Sequence, residues 1–313
     1  MNIEGHITPR TIQAIYQHYV AKRKDAHRPH LGGSQIGNPC SRALWYQFRH
    51  MDRPVFEGRT LRLFETGDRE ESRLVENLRA VGVTVWDRDP ETGKQIRFEA
   101  CECHFALSLD GVAEGLHESS QPHTLEFKTM NDKNFRALQK DGVEKSKPVY
   151  WAQCQIGMHL AGIERCAFIA VNKNDDSIYM ERIKYDPAAG LQLVAKAREI
   201  IFSDKPPAKL NNDPSFYLCK FCDYRHVCHE GKPPEVNCRT CAHATPEAGG
   251  KWSCAKGKEF GAPCVLHLFN PYAMPWEIYD AGDDWIEYQT GDGEVIRNHE
   301  GNSAEIAASW IPF

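Results

Sequence analysis

HTLEFKTM, residues 123–130, is the stretch on which the reading of this chain turns. Its β-branched and aromatic residues, with Met130 closing the run, describe a strand. Side chains at i and i+2 of a strand share a face, so Glu126 and Lys128 stand together while Leu125, Phe127 and Thr129 take the other side. A carboxylate beside an ammonium on an otherwise apolar strand asks for a chemical reason, and the neighbouring segments supply candidates.

Upstream, VTVWD (83–87), KQIRFEA (94–100) and HFALSLDGVAEG (104–115) read as strands separated by turn residues, an antiparallel meander with 123–130. Downstream come helical patterns at 131–141 and 149–161, a buried-looking strand RCAFIAVNK (165–173), its hairpin partner SIYMERIKY (177–185), and a helix from Pro187 to Phe202. Ahead of the strands, Thr8 and Pro9 start a helix carrying Ile12, Ile15, Tyr16 and Tyr19 up to a basic patch at Lys22 to Lys24. LGGSQIGNP (31–39) then leads into a helix over CSRALWYQF (40–48). A third helix, 61–80, turns Leu63, Phe64, Leu74, Val75 and Leu78 toward a core, and Gly82 ends it. The order is helix, strands, helix, strand, an α/β arrangement with a mixed central sheet flanked by helices.

Asp110 ends an alternating strand and is followed by glycine, which permits a tight turn and a close backbone approach. Placed beside Glu126 and Lys128 on adjacent strands, it gives two carboxylates that converge on a hard divalent cation, Mg²⁺ or Mn²⁺, with the lysine where a nucleophilic water would be oriented.

The set Asp110, Glu126-x-Lys128 resembles the PD-(D/E)XK nuclease superfamily, in its RecB-like and phage lambda exonuclease-like branches, over residues 35–230. The resemblance implies the restriction-endonuclease-like core and a metal-dependent deoxyribonuclease. It adds a metal ligand on the helix before the sheet, where Gly67-x-x-x-Glu71 matches. It also adds a glutamine on the helix after the Glu-x-Lys strand, where YWAQCQIGMHLAG offers Gln153 with Tyr150 ahead of it. Gln155 and Met158 resemble the lambda-exonuclease form, and Gly157 stands where the RecB form has tyrosine. On this reading Glu71, Asp110, Glu126 and the Phe127 carbonyl hold the metal, Lys128 orients the water, and Gln153 places Lys128 or substrate.

Length and charge fit such a protein. The 313 residues carry a net charge of −5, but from Pro271 onward nine acids face Arg297 alone, a balance of −8, so the rest of the chain carries +3. A mildly basic body is compatible with DNA. No run of 18 apolar residues exists and the start lacks a secretory layout, which gives an expectation of no membrane and a cytoplasmic location in a bacterial host cell.

In that compartment 12 cysteines point to metal or a cluster rather than disulfides. Cys219, Cys222 and Cys228 form C-x₂-C-x₅-C, one ligand short of a tetrahedral site, and Cys40 is the candidate fourth. One cysteine before the core and three after it is similar to the iron–sulfur nucleases of the RecB-like group and implies a 4Fe-4S cluster; such spacing also takes zinc. Cys238, Cys241, Cys254 and Cys264 give C-x₂-C-x₁₂-C-x₉-C among turn glycines, a zinc ribbon in which His243 or His267 could replace a cysteine. Cys101 and Cys103 read as strand residues, and Cys154 and Cys166 as core.

Arg42, Trp45, Tyr46, Arg49, Lys133, Arg136, Lys140 and Tyr150 are candidates to touch phosphates or stack on bases. The terminus AASWIPF looks like the Ile-Pro-Phe tip of bacterial single-stranded-DNA-binding proteins, implying a recombination or replication partner. With Pro-bearing boundaries at 204–209 and 231–236, the expected domains are 1–57 (helical, with Cys40), 58–210 (nuclease core), 211–232 (cysteine cluster), 233–270 (zinc ribbon) and 271–313 (acidic tail with short strands). The functional expectation is a DNA exonuclease working on DNA ends in phage-type recombination or replication. An endonuclease on the same core, a non-catalytic DNA-binding or assembly module, and an iron–sulfur scaffold remain open alternatives.

Overall fold

The computed structural model describes residues 9–23, 27–262 and 264–310; Thr8 of the helix start, Lys24 of the basic patch and the Ile-Pro-Phe tip lie outside the described residues. In chain order the elements are α1 (Arg10–Lys22), β1 (Leu31–Gly32), α2 (Ser41–Phe48), α3 (Gly58–Ala80), β2 (Thr84–Trp86), β3 (Arg97–Ala100), β4 (Phe105–Ser108), β5 (Gly111–Glu114) and β6 (His123–Met130). There follow α4 (Asp132–Ser146), α5 (Pro148–Ala161), β7 (Arg165–Asn172), β8 (Ile178–Lys184), α6 (Pro187–Phe202), α7 (Tyr217–Lys220) and α8 (Arg225–His229). Last come β9 (Ala244–Pro246), β10 (Trp252–Cys254), β11 (Glu277–Ala281), β12 (Trp285–Gln289), β13 (Val295–His299) and α9 (Ser303–Ser309). Two compact units interleave along this order. The first takes Met1–His27, Pro54–Arg97 and Ser108–Asp186; the second takes Arg28–Arg53, Phe98–Leu107 and Pro187–Phe313.

The first unit is built on a mixed five-stranded sheet in the order β2-β5-β6-β7-β8. β6 and β7 run parallel, and the other neighbours pair antiparallel. A parallel pair needs a crossover, which α4 and α5 supply. β7 is buried from Cys166 to Asn172 because both of its faces are covered. Ala167, Ile169 and Val171 join Leu125 and Phe127 of β6 and Leu74 and Val75 of α3 in one cluster. Cys166, Phe168 and Ala170 join Phe135 and Leu138 of α4 and Cys154 and Met158 of α5 in another.

α3 ends as the sequence predicts. Gly82 takes a left-handed φ of 90°, its N–H donates to the Arg79 carbonyl at 3.1 Å, and the Val83 N–H donates to the Leu78 carbonyl at 3.1 Å. That paired arrangement closes the last turn while Val83 and Leu78 meet in the first cluster. The other end of α3 departs from expectation. Leu63 and Phe64 are 45% and 49% exposed rather than in the core. This half of the helix faces α1, where a Cβ on Gly58 would collide with the Tyr16 backbone, so the approach of the two backbones requires glycine.

The expectation of one strand over 104–115 is corrected. β4 lies in a three-stranded sheet of the second unit, order β1-β4-β3, whereas β5 belongs to the five-stranded sheet. The alternation runs through the break because Leu109 stays in an extended pairing, its N–H donating to the Ile96 carbonyl at 2.9 Å. Cys101 and Cys103 are likewise not strand residues. Cys101, Glu102 and Cys103 have φ of 50°, 57° and 65°, a left-handed turn between β3 and β4. Each such non-glycine residue costs about 1–2 kcal/mol, and the turn is held by the His104 N–H on the Cys101 carbonyl (3.0 Å) and the Gly250 N–H on the Glu102 carbonyl (2.7 Å).

The rest of the second unit packs α2 on α6, pairs β9 with β10, and forms a sheet β11-β12-β13. α9 covers that sheet through Ile306, which joins Leu268, Phe269, Met274, Ile286 and Tyr288. Among the described residues no helix is long and apolar enough to cross a membrane.

Candidate active site

Asp110 occupies the turn that opens β5, and Gly111 pairs with Leu125 of β6. A Cβ at Gly111 would lie 3.0 Å from the Trp86 carbonyl oxygen and 3.2 Å from Leu125 Cδ1, so a side chain there would crowd the neighbouring strand. The Phe127 N–H donates to Asp110 Oδ2 at 2.7 Å, which fixes the carboxylate against β6. Glu126 and Lys128 are the next inward residues of that strand, with side chains 4% and 23% exposed, and the Lys128 ammonium donates to Glu126 Oε1. Lys128 Nζ stands 5.4 Å from the ring centroid of Tyr150 on α5, and Tyr150 stacks on Phe168 at 6.2 Å.

Glu71 completes the group from the middle of α3. Burial raises its pKa to about 7, Asp110 and Asp68 add to the rise, and Lys128 opposes it. Burial likewise raises Asp110, against the pull of Lys128 and the Phe127 N–H. Glu126 is pushed up to about 8 by burial, with Asp110 and Glu71 adding and Lys128 opposing. Burial alone would pull Lys128 down; the Glu126 and Asp110 carboxylates outweigh it and hold the ammonium protonated. Three carboxylates around one ammonium thus lack positive charge, the situation a bound cation relieves.

The linkage follows from the direction of the shift. With a folded pKa of about 8 against the ordinary 4.5, Glu126 contributes stability that is fully present below pH 4.5 and lost as pH rises through 8. Thermal unfolding in chelator should therefore show a midpoint that falls across this window in the wild type and falls less in Glu126→Gln. An equal slope in both proteins would refute the assignment.

The donor set, all carboxylate oxygen, has the chemistry a Mg²⁺ or Mn²⁺ ion wants. Among the described residues no three His, Cys, Asp or Glu side chains already stand as a metal site. Gln153 is buried on α5, which packs on β6. Gln155 is structural: its amide donates to the Lys184 carbonyl at 2.9 Å and its oxygen accepts the Asp186 N–H at 2.8 Å. Sequence reasoning named Tyr150 for DNA and missed its place over Lys128. The signal was its position three residues before Gln153, on one helix face.

Several nucleic-acid candidates are corrected. Trp45, Tyr46 and Arg49 are 0%, 3% and 1% exposed, in the core of the second unit. Trp45 Nε1 and Arg49 Nη2 donate to the Ser203 carbonyl at 2.9 and 3.1 Å, and Arg42 donates to Tyr46 Oη (2.7 Å) and the Pro207 carbonyl (2.9 Å). These side chains are spent on the fold. Lys133, Arg136 and Lys140 are exposed on α4, with Arg136 paired to Asp132 at 3.0 Å.

In the second unit Cys40, Cys222 and Cys228 lie within electrostatic reach of one another. Burial raises Cys222 to about 11, and Cys40 and Cys228 add to it; Cys228 is raised by burial and by Cys40. Cys219 is buried, with its thiol 4.0 Å from the Asn211 carbonyl. Cys238, Cys241, Cys254 and Cys264 line a second place, a cavity of ≈ 20 Å³. Cys154 and Cys166 are core residues of the first unit.

No protein-family model matches the chain, and no curated protein matches it. Solved structures do. LHK-Exo in complex with dAMP is 14% identical, with a TM-score of 0.38, over 60% of this chain and 90% of that one. The alkaline exonuclease LHK-Exo from Laribacter hongkongensis is 16% identical with a TM-score of 0.39, over 59% and 90%. SSO0001 is 15% identical with a TM-score of 0.39, over 69% and 93%. At these TM-scores the likeness is too loose to assign an activity.

Proposed function

We propose that the chain is a divalent-metal-dependent DNA exonuclease with a PD-(D/E)XK core of the lambda-exonuclease-like kind, processing linear ends in recombination or replication. The observation that carries this is the grouping of Glu71, Asp110, Glu126 and Lys128 from α3, the β5 turn and β6, in which Lys128 opposes the burial-driven rise of all three carboxylates. Glu71, Asp110, Glu126 and the Phe127 carbonyl would hold Mg²⁺ or Mn²⁺, which supplies charge to polarise the phosphodiester and acidify water. The chain's own part is positional. The Phe127 N–H fixes Asp110, and Lys128, kept cationic beside Glu126, orients water against phosphorus and meets the charge that develops on phosphate oxygen. Tyr150 and Gln153 keep Lys128 and the substrate in line. Water oxygen bonds to phosphorus and gives up a proton to bulk water, the P–O bond to the leaving sugar breaks, and that oxygen takes a proton from bulk water.

In the same reading Cys40, Cys219, Cys222 and Cys228 would hold a 4Fe-4S cluster or zinc that ties α2 to the α7–α8 segment. The nearness of Cys40 to both Cys222 and Cys228, whose thiols burial pushes up and Cys40 pushes further, supports it. The C-terminal tip would meet a recombination or replication partner.

End-labelled linear DNA and a closed circle, each with Mn²⁺ or with chelator, test the proposal. The expected result is metal-dependent loss of the linear form with the circle intact. No cleavage with any divalent ion, or cleavage indifferent to chelator, would overturn it; a circle cut as fast as the linear form would overturn the exonuclease part.

A further inference from the structure

The second cysteine neighbourhood carries a ligand assignment that differs from its sequence pattern. Cys238 opens a single 3₁₀ turn over Cys238–Thr240, capped by the Asn237 side chain, and the Cys241 N–H donates back to the Cys238 carbonyl at 3.2 Å. β9 begins three residues later, and its Ala244 pairs with Cys254 of β10, so the hairpin returns Cys254 to the end where Cys241 lies. Cys238 Sγ accepts the Gly261 N–H at 3.1 Å. All three cysteines line one cavity of ≈ 20 Å³, space for a single small occupant.

His267 lines the same cavity and is 5% exposed. Its Nε2 lies 3.1 Å from the Asn237 carbonyl and 3.3 Å from Thr240 Oγ1. A carbonyl only accepts, so Nε2 carries the hydrogen. The Thr240 hydroxyl hydrogen is directed to the Glu235 carbonyl at 2.6 Å or the Asn237 carbonyl at 2.9 Å, so it makes no competing demand on Nε2. Nδ1 is therefore the lone-pair nitrogen, and it is buried without a hydrogen-bond partner. A histidine that donates one ring N–H to a backbone carbonyl and leaves the other nitrogen buried and unpartnered, beside a cavity lined by cysteines, has the arrangement of metal-ligating histidines.

Cys264 and His243 line the same cavity, and His243 Nε2 is also buried without a hydrogen bond, but both make other contacts. Cys264 is exposed, and its sulfur accepts the Leu266 N–H at 3.4 Å. His243 Nε2 lies 3.5 Å from Glu300, which also pairs with Lys256 at 2.6 Å. We propose that Cys238, Cys241, Cys254 and His267 Nδ1 bind one structural Zn²⁺, with Cys264 outside the ligand set. This is a Cys₃His tetrahedron, which satisfies the buried nitrogen and ties the 3₁₀ turn, the hairpin and the segment after Cys264 together. Among the described residues no three of these donors are already gathered as a metal site.

Metal content and ¹¹³Cd NMR of the full-length protein test this without reference to activity. Cys241→Ser and His267→Ala should each lose one zinc equivalent relative to wild type, and Cys264→Ser should lose none. In the ¹¹³Cd-loaded wild type, the resonance that Cys241→Ser removes should lie upfield of the four-thiolate range, a reading that needs no histidine variant to fold. His267→Cys should keep the ion and move that resonance downfield. Loss of the equivalent in Cys264→Ser, a wild-type resonance in the four-thiolate range, or metal content unchanged by Cys241→Ser would each overturn the assignment.

Discussion

Lys128→Ala should slow DNA cleavage by about 10²–10⁴-fold, the range expected when one group that positions or protonates at the reacting centre is lost. The size follows from the surroundings. The ammonium is the cation that Glu71, Asp110 and Glu126 all feel. Its removal leaves Glu126, 4% exposed, with no positive partner on its own strand. In the metal-free protein Glu126 then stays protonated to higher pH, and divalent-ion binding becomes more pH-dependent. Arginine should not restore the rate, because its planar fork cannot occupy the place of a compact ammonium under the Tyr150 ring. Single-turnover cleavage of end-labelled DNA, with DNA binding measured in parallel, separates this from a folding defect. A variant that binds DNA and cleaves within a few-fold of wild type removes Lys128 from the chemistry.

Phe168→Ala should cost about 3–5 kcal/mol, the usual price of emptying a buried aromatic site. Phe168 is fully buried and pairs in register with Glu126 across the parallel β6–β7 ladder. It fills the cluster beneath α4 and α5 and lies under the Tyr150 ring. At about 2–4 °C per kcal/mol for a unit of this size, the melting midpoint should fall by roughly 6–20 °C. Cleavage should fall as well, since Tyr150 loses the surface that holds it over Lys128. Circular dichroism melting checks the first effect, and a shift under about 3 °C would show that the cluster collapses around the gap.

β6 was legible to its ends, His123 to Met130, because a strand covered on both sides must carry its apolar residues on successive positions, and the charged pair then stands out. Glu71, Asp110, Glu126 and Lys128 were named from order and element type, and the fold brings all four within electrostatic reach. What the sequence hid was non-local. Arg49 reads as a phosphate contact until its carbonyl partner appears at Ser203, more than 150 positions away. Residues 104–115 read as one strand because alternation is unbroken at Leu109, although hydrogen bonding passes there from one sheet to another. Leu63 and Phe64 fit the apolar stripe of α3, yet the stripe is covered only from Leu74 onward.

The interleaving of the two units sets a timetable for the growing polypeptide. Residues 28–53 and 98–107 leave the ribosome well before 187–313, with which they form one compact body. Ile36, Leu44, Trp45 and Phe48, all deeply covered in the finished protein, must therefore remain bare while the middle of the chain is translated. A chain stopped after Asp186 would expose them permanently and be a substrate for chaperones and proteases; releasing the first unit on its own requires both early segments to be excised and the ends rejoined.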